Sequence, residues 1–416
     1  MSSATLTTDT PPEQSFRDVW VISIGHALTH WYPATFYLLL PLIGKELGMS
    51  YSQIGLVMTC QYIAGALSNV PGGMLVDTVG KKGLLMALSL FWVGFPYLLM
   101  SFTHSYVMLL LCVAMVGIGN NLWHPTAIPT LAQRYPNHKG LVLSMHGMGG
   151  NAGDALAPLA VGALLATFSW REIVVMNAIP GALMSLLILV FMGTIQLNRK
   201  IKKPIVAAPE GQALSEYAKG FRELFRNKTI LLLAVSSAFR SMTQTTLLTF
   251  LPVFLAYEMG YSPVWVGGCM FLLQAAGLVA SPIAGHLSDS MGRRRIIMTS
   301  MIMTAIVLIF MALAGRSTAF VLFIALLGFF LYAIRPVLQA WMLEATPKNM
   351  GGTSIGLLFG LQAVGSSIGP VVGGSLADHF GLMSTFTFLA FTIVFANLFI
   401  FFVPKQDMAS DAGHPL

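Results

Sequence analysis

Charged residues are scarce in this chain: lysine, arginine, aspartate and glutamate together make up 9% of its 416 residues. A water-soluble protein is roughly a quarter charged, so the composition argues against a soluble globular domain. Hydrophobic residues account for 56% of the chain. Because one membrane-spanning helix needs about 20 apolar residues, twelve such helices with short turns would use most of this length.

Cysteine is also rare. The three cysteines, Cys60, Cys112 and Cys269, lie inside apolar stretches, without a CxxC pair or the spacing of a metal-ligand motif. This pattern argues against a disulfide framework and a zinc site, and it predicts small packing residues instead. We expect neither a bound metal nor a cofactor.

Several functional motifs are missing from the sequence. It contains no P-loop and no HExxH motif, which argues against ATP-driven pumping and against a metalloprotease-type enzyme. The segment before Val19 carries Asp9, Glu13 and Asp18 against the single Arg17, unlike the basic start of a cleaved signal peptide. The net charge of +7 comes from basic residues in short loops, so nucleic acid is not an expected partner.

Apolar runs divide the chain into twelve predicted spans, numbered here in chain order. Between the sixth and seventh lies the longest polar stretch, with an amphipathic run near residues 217–225 that predicts a helix on the membrane surface. The sequence thus predicts an N-terminal bundle (1–195), a linker (196–227) and a C-terminal bundle (228–416). The predicted spans are 20–43, 51–76, 83–102, 106–132, 141–167, 170–194, 228–257, 263–288, 294–314, 318–345, 352–377 and 382–403.

The distribution of basic residues predicts the orientation. With the N-terminus inside, the inner segments hold 18 of the 23 lysines and arginines, the outer loops hold three, and Arg240 and Arg335 lie within spans. Short inner loops are enriched in basic residues. We therefore expect a multi-pass protein of the cell membrane, in this case the bacterial inner membrane, with both termini in the cytoplasm. We also expect a monomer that is surrounded by the lipid bilayer.

The two halves of the chain repeat each other. The segment 73–82 reads GMLVDTVGKK and the segment 285–294 reads GHLSDSMGRR, so each position of the first copy has a partner in the second at one constant offset. A constant offset indicates duplication of a six-helix unit, and such repeats build one large class of transporters with the site between the halves. The same offset relates Gly140 to Gly352, Gly153 to Gly365, Pro158 to Pro370, and Gly162 to Gly374.

The repeated motif resembles the signature loop of the major facilitator superfamily. The resemblance implies an all-α membrane fold of twelve helices in two six-helix bundles related by a pseudo-two-fold axis. It also implies that Asp77 and Asp289 latch the halves together on the cytoplasmic side, Asp77 facing Arg134 and the start of span 11, and Asp289 the start of span 5. A plain turn with solvated charges is the alternative. The predicted gating residues are Gly73, Asp77, Gly80, Arg134, Gly285, Asp289, Gly292 and Arg293.

A second stretch points to one branch of the family. The segment 117–125 reads GIGNNLWHP, followed by a glycine-rich run at 149–153 and by Pro158, which resembles the fosmidomycin-resistance branch of drug exporters. The common drug-exporter pattern has an arginine in mid span 4, where this chain has Asn120 and Asn121.

Small-xxx-small motifs occur in spans 5 and 11, at 149–153 and 365–369. Such motifs allow close helix packing. The family resemblance links the span 5 motif to antiport, so packing alone and a role in transport direction both remain open.

Polar residues at membrane depth form pairs in spans 1, 4, 7 and 10, which line the central cavity in the family that the chain resembles. Such residues are costly and usually face the protein interior. Guanidinium groups suit carboxylate and phosphonate, so we predict that the deep arginines bind an anionic substrate. The alternative is that each group satisfies a neighbour or a backbone break. The predicted substrate-binding residues are His30, Trp31, Asn120, Asn121, His124, Arg240, Gln244, Arg335 and Gln339.

Three residues are predicted to handle protons: Asp154 and His146 in span 5 and His26 in span 1. Asp154 and His146 lie on one stripe because they are two steps of four apart along the helix. The alternative role for Asp154 is a hydrogen bond to a neighbouring helix such as span 4, through Asn120 or Asn121.

These observations together predict a proton-coupled exporter of small anionic or amphiphilic molecules that works by alternating access. A proton-coupled importer of a small organic anion uses the same parts. A function of a different class is a non-transporting membrane receptor or assembly factor on the same fold. The polar pairs deep in the spans argue against this function.

Overall fold

The computed structural model describes residues 16–79, 81–120, 122–192, 222–346 and 350–404, without the side chains of residues 69, 70, 73, 77, 351 and 352. These residues form long α-helices that match the predicted spans in order, and the described part of the chain contains no β-strand. Spans 1 to 3 are Arg17–Glu46, Tyr51–Val79 and Lys82–Met100; span 4 is Tyr106–Asn120 and Trp123–Arg134; spans 5 and 6 are Lys139–Leu164 and Trp170–Met192. Spans 7 to 12 are Lys228–Tyr257, Pro263–Met291, Arg293–Ala314, Ala319–Glu344, Gly351–Phe380 and Met383–Phe401.

Hydropathy separates the spans into two groups. Eight helices of the described residues are long and apolar enough to cross a membrane by length and composition alone. Spans 1, 2, 5 and 7 are outside this group, although they are 26 to 30 residues long. Three of these four helices carry polar groups of the candidate site, which explains their lower apolarity.

Span 4 is described on either side of residue 121, which lies outside the described residues. Its two stretches are Tyr106–Asn120 and Trp123–Arg134. Taken together, Tyr106–Arg134 is long and apolar enough to cross a membrane, in agreement with the one span that the sequence predicted.

The two halves use equivalent glycines to pack their helices. In the first half, a side chain at Gly153 of span 5 would collide with the backbone carbonyl of Ala27 in span 1. In the second half, Gly365 of span 11 meets the carbonyl of Ala238 in span 7 in the same way. The small-xxx-small motifs therefore bring span 5 against span 1 and span 11 against span 7.

The contacts between the halves follow the same symmetry. A side chain at Gly55 of span 2 would collide with the carbonyl of Pro370 in span 11, and one at Gly267 of span 8 would collide with the carbonyl of Pro158 in span 5. The offset of the repeat relates Gly55 to Gly267 and Pro158 to Pro370. The predicted repeat thus reappears as two matched helix crossings.

These crossings lie near one end of the molecule, where spans 1 and 5 end and spans 2 and 8 begin; we call it the closed face. The closed face also holds hydrogen bonds between the halves. The Tyr257 hydroxyl donates to the Pro41 carbonyl at 2.6 Å, and the Thr59 hydroxyl donates to the Ser367 carbonyl at 2.5 Å.

Toward the opposite end, spans 2 and 11 separate. Gly356 and Gly360 of span 11 have no atom within 4 Å of the position that a side chain would take. Leu67 of span 2 is 73% exposed. We call this end the open face, because the space between the halves widens toward it.

The core of the closed face is apolar. Leu39 and Ile43 of span 1 and Phe250 and Leu251 of span 7 are fully buried in one cluster. Close packing of these side chains makes the closed face rigid. The polar groups at mid-depth lie next to this apolar cluster.

Most of the linker, including the start of the predicted surface helix near residues 217–225, lies outside the described residues. Its described end forms a short helix at 222–226. Asn227 then begins span 7, its side-chain oxygen accepting from the amides of Thr229 at 3.0 Å and Ile230 at 3.3 Å, a standard N-cap. The division into bundles at 195 and 228 stays a prediction.

Candidate functional site

A histidine–aspartate pair lies at mid-depth between spans 1 and 5. The His30 Nδ1 atom is 2.9 Å from an Asp154 carboxylate oxygen, and the two side chains are 24% and 29% exposed. The pair is possible because span 5 approaches span 1 closely along its glycine stripe. Asp154 therefore faces His30, whereas the sequence suggested Asn120 or Asn121 as its alternative partner.

Three more rings join this pair. His26, one turn before His30, is buried, and its ring stacks on that of His146 with centroids 3.8 Å apart. The His26 Nδ1 atom is 2.6 Å from the backbone carbonyl of His146. His26 Nε2 lies 3.1 Å from Nε2 of His124 in span 4. The structure thus brings together four histidines that the sequence placed in three different spans.

The two deep arginines differ from each other. Arg240 in span 7 is 2% exposed and donates to the side-chain oxygen of Gln244, one turn away. Arg335 in span 10 is exposed, and its charge interacts with Arg240 and, across the space between the halves, with His124. Arg335 is therefore the arginine that a molecule in this space would meet first.

Some predicted substrate-binding residues lie elsewhere. Trp31 donates its indole N–H to the Asn177 side-chain oxygen in span 6 at 2.6 Å, so its polar atom is satisfied within the first half. Neighbouring residues on a helix point about 100° apart, so Trp31 is turned toward span 6 while His30 is turned toward span 5. Asn120 ends the first described stretch of span 4, Asn121 is outside the described residues, and Gln339 is partly exposed in span 10. Substrate binding by this set stays a prediction.

The predicted proton-handling residues Asp154, His146 and His26 do lie within one cluster. Both ring nitrogens of His146 are buried without a hydrogen-bond partner among the described residues. Their role in coupling stays a prediction.

Arg134 has a different partner from the one expected. Its guanidinium is 2.6 Å from the carboxylate of Asp18, which is buried at the start of span 1. The side chain of Asp77 lies outside the described residues, as does Gly80, and Gly73 is in the helix of span 2. In this conformation Arg134 therefore ties span 4 to span 1 within one half.

The second copy of the signature loop is fully described. Gly292 has φ +88°, a conformation that favours glycine and makes the tight turn predicted from the motif. Arg293 pairs with Asp289 at 2.5 Å and with Glu344 of span 10 at 2.9 Å, and Gly285 has open space around it. Asp289 does not contact the described residues of span 5 here. The latch is expected when the open face closes, so this gating role stays a prediction.

Sequence reasoning missed a group of tyrosines beside the site. The hydroxyls of Tyr37 in span 1 and Tyr62 in span 2 are 2.7 Å apart. Tyr332 of span 10 is close enough to Asp154 and Arg240 for their charges to affect it. Tyr332 lies one helical turn before Arg335, a spacing that places both on one face and that was a usable signal.

Asp378 was also missed. This carboxylate at the end of span 11 accepts from the amides of Tyr51 at 2.8 Å and Ser52 at 2.9 Å, and from the Ser52 hydroxyl at 2.5 Å. A carboxylate is favoured at a helix N-terminus by its free amides and its dipole. Here the capping group comes from the other half, so Asp378 ties the halves together at the closed face.

Replacing Asp378 by alanine is therefore expected to loosen the closed face. The amides at the start of span 2 would lose their acceptor from span 11, and a cysteine placed at Ser367, which is 7% exposed, should be labelled several-fold faster by an impermeant maleimide. Glu223→Ala, which removes an exposed carboxylate of the short helix before span 7, at the opposite end, is the matched control. Equal labelling of the two variants and the parent would show that Asp378 has no part in closure.

Comparison with known proteins identifies the fold and the family of this chain. The family model of the Major Facilitator Superfamily matches residues 22–283 and 265–415. The chain is 23% identical to the fosmidomycin resistance protein of Escherichia coli K12, covering 94% of both chains. It is 24% identical to the hexuronate transporter of Bacillus subtilis 168, covering 90% of both.

A solved structure shares the fold. A bacterial homologue of the human lysosomal transporter Spinster, in an inward-facing and unoccupied conformation, superposes with a TM-score of 0.82 at 17% identity, over 95% of this chain and 97% of that one. The repeated signature loop, the twelve spans in two related bundles and the family match agree: this chain is a multi-pass membrane protein that belongs to the major facilitator superfamily of transporters.

Proposed function

We propose that this protein exports small anionic or amphiphilic compounds by alternating access, driven by the proton gradient. The observation that carries the proposal is Arg335, an exposed guanidinium at mid-depth between the halves. A charge in such a position is costly and is usually retained for function. Arg240 lies close enough for its charge to interact with Arg335, so an anion entering this space meets two positive groups.

The carboxylate on the other side of this space already has a hydrogen-bond partner. Asp154 contacts His30 at 2.9 Å rather than either arginine, so an incoming anion would supply the counter-ion that the arginines lack among the described residues. Guanidinium binds planar oxyanions with two parallel hydrogen bonds. A carboxylate, phosphate or phosphonate of a small compound fits this requirement.

Alternating access is supported by the two ends of the molecule. The closed face holds matched helix crossings, whereas spans 2 and 11 part toward the open face. If the N-terminus is cytoplasmic, as the basic residues predict, the open face is the cytoplasmic one. The structure then corresponds to a loading state for export.

Orientation can be tested independently. Reporter fusions after Gln196 and at the C-terminus are both expected to report the cytoplasm, because the predicted inner segments contain 18 basic residues and the outer loops three. A fusion after Lys45 serves as the opposite control. An external signal from either of the first two fusions would reverse the assignment of the open face.

The driving force is proposed from what the sequence lacks. The chain has no nucleotide-binding motif, and this supports the proposal that an ion gradient supplies the energy. We expect export to stop when a protonophore collapses the pH gradient, and to continue when the sodium gradient alone is collapsed.

Import of a small organic anion is the second candidate. The relative named as a hexuronate transporter favours it, since a hexuronate is a carboxylate. Everted vesicles separate the two: an exporter accumulates the anion inside them when a pH gradient is imposed, whereas a symporter accumulates it in right-side-out vesicles. A panel of carboxylates, phosphonates and neutral analogues should be used in both. Failure of every anion in both preparations would refute the proposal.

A further inference from the structure

Three of the clustered histidines have the arrangement of metal ligands. One ring nitrogen from each of His26, His30 and His124 lies within 4.8 Å of the corresponding atoms of the other two. The rings of His30 and His124 stand edge-on to that of His26, with centroid distances of 4.7 and 4.9 Å. Imidazole nitrogen is the commonest protein ligand for transition metals.

The hydrogen bonds around the cluster fix the tautomers. A backbone carbonyl can only accept, so the His26 Nδ1 atom, 2.6 Å from the His146 carbonyl, must carry the hydrogen. The neutral ring then presents the lone pair of Nε2. The Asp154 carboxylate likewise accepts the hydrogen on Nδ1 of His30, 2.9 Å away. The neutral His30 ring then also presents the lone pair of its Nε2 atom.

This pattern is the one found around bound metals. Ligating histidines usually donate their second N–H to a carboxylate or a backbone carbonyl, which orients the ring and increases its basicity. His26 has the carbonyl and His30 has the carboxylate.

From this geometry we propose that His26, His30 and His124 bind a divalent transition-metal ion of the zinc class through their Nε2 atoms. Zinc–nitrogen bonds of about 2.0–2.1 Å in a tetrahedron place neighbouring nitrogens about 3.3 Å apart. The His26 and His124 Nε2 atoms are already 3.1 Å apart. His30 is 24% exposed, and one of its ring nitrogens lies within 4.8 Å of the other two ligand atoms, so a small movement of its ring would complete the triad.

Space for these rings comes from span 5. A side chain at Gly150 would stand 2.7 Å from His26 Cε1 and 3.0 Å from His30 Nε2. With glycine there, the two rings lie side by side, and His30 stays 24% exposed. A three-histidine site leaves a fourth position for water or an anion, and His124 interacts with Arg335 on that side. The metal site does not depend on the direction or substrate of transport.

The test uses the full-length protein purified without a polyhistidine tag, stripped of metal and held in nanodiscs. Titration with zinc chloride, followed by calorimetry, should give one ion per chain with a Kd in the micromolar range or below. Cobalt(II) should give the intense visible absorption of a tetrahedral site. Zinc should also raise the thermal unfolding midpoint.

Variants locate the site. His124→Gln is expected to abolish the cobalt spectrum, and Asp154→Asn is expected to weaken zinc binding roughly 10- to 100-fold at unchanged stoichiometry. The matched control is His286→Ala, which removes an exposed histidine of span 8 and should change nothing. Thermal unfolding without metal shows whether each variant is folded, and the cobalt spectrum of the parent protein does not depend on any variant.

Stoichiometric binding that His124→Gln leaves intact would overturn the proposal, as would the absence of a tetrahedral cobalt spectrum in the parent. Either result would leave the cluster as a hydrogen-bonded network. Neither would affect the proposed anion transport, which is measured separately in vesicles.

Discussion

Replacement of Arg335 by glutamine is expected to raise the KM for anionic compounds roughly 10- to 140-fold while leaving transport of neutral compounds nearly unchanged. A hydrogen bond to a charged group contributes about 1.5–3 kcal/mol, and each 1.4 kcal/mol is a factor of about ten. Glutamine keeps a hydrogen-bond donor and much of the length of the side chain, so the rise in KM measures the contribution of the positive charge. The measurement is initial uptake into everted vesicles over a range of concentrations.

Two variants make this result specific. Arg295→Gln removes an exposed arginine at the start of span 9 and should leave both KM values unchanged. Arg240→Gln should also weaken anion binding, but its side chain is 2% exposed, so part of its effect is expected in folding yield. Equal losses for anionic and neutral compounds in Arg335→Gln would assign Arg335 a structural role.

The second large effect is expected from a single methyl group at the closed face. In Gly267→Ala the new carbon would collide with the carbonyl oxygen of Pro158 and stand 3.1 Å from Gly162 Cα. Backbone atoms cannot give way without moving the helices, and overpacking costs about 1–3 kcal/mol. The population of the closed-face state should therefore fall roughly 5- to 140-fold, and transport should fall with it.

The neighbouring residue provides a matched control. Gly268 is on the same helix and has no atom within 4 Å of the added carbon, so Gly268→Ala should transport normally. Labelling of a cysteine at the buried Ser367 by an impermeant maleimide should rise in Gly267→Ala only. The same behaviour is expected at Gly55, the symmetry-related position. Normal transport by Gly267→Ala would contradict the assignment of this crossing to the closing motion.

The fold was predictable because hydropathy and the repeat act over long stretches of chain. The spans, the equivalent glycines and the turn at Gly292 follow from composition, the constant offset between the halves and the signature motif. Proline within a span did not obscure this pattern, since Pro336 lies inside the continuous helix of span 10.

The site was predictable only in part, because its contacts join residues far apart in sequence. Helical spacing identified the histidines and Asp154, but the pairing of His30 with Asp154 depends on how spans 1 and 5 rotate. Asp378 contacts Ser52 across 326 positions, and no local pattern marks it. Burial of Arg240 and exposure of Arg335 likewise depend on packing, since both occur in similar polar pairs.

The central claim is that the two halves rock about the bound anion. It is tested most directly by electron–electron double resonance in a chain whose three cysteines are replaced by alanine. One spin-label pair at Gln53 and His379 reports the closed face, and another at Leu67 and Gly360 reports the open face. A saturating anion identified in the vesicle panel, added under an imposed pH gradient, should lengthen the first distance and shorten the second. Distances that stay fixed, or that change in the same direction, would contradict the account.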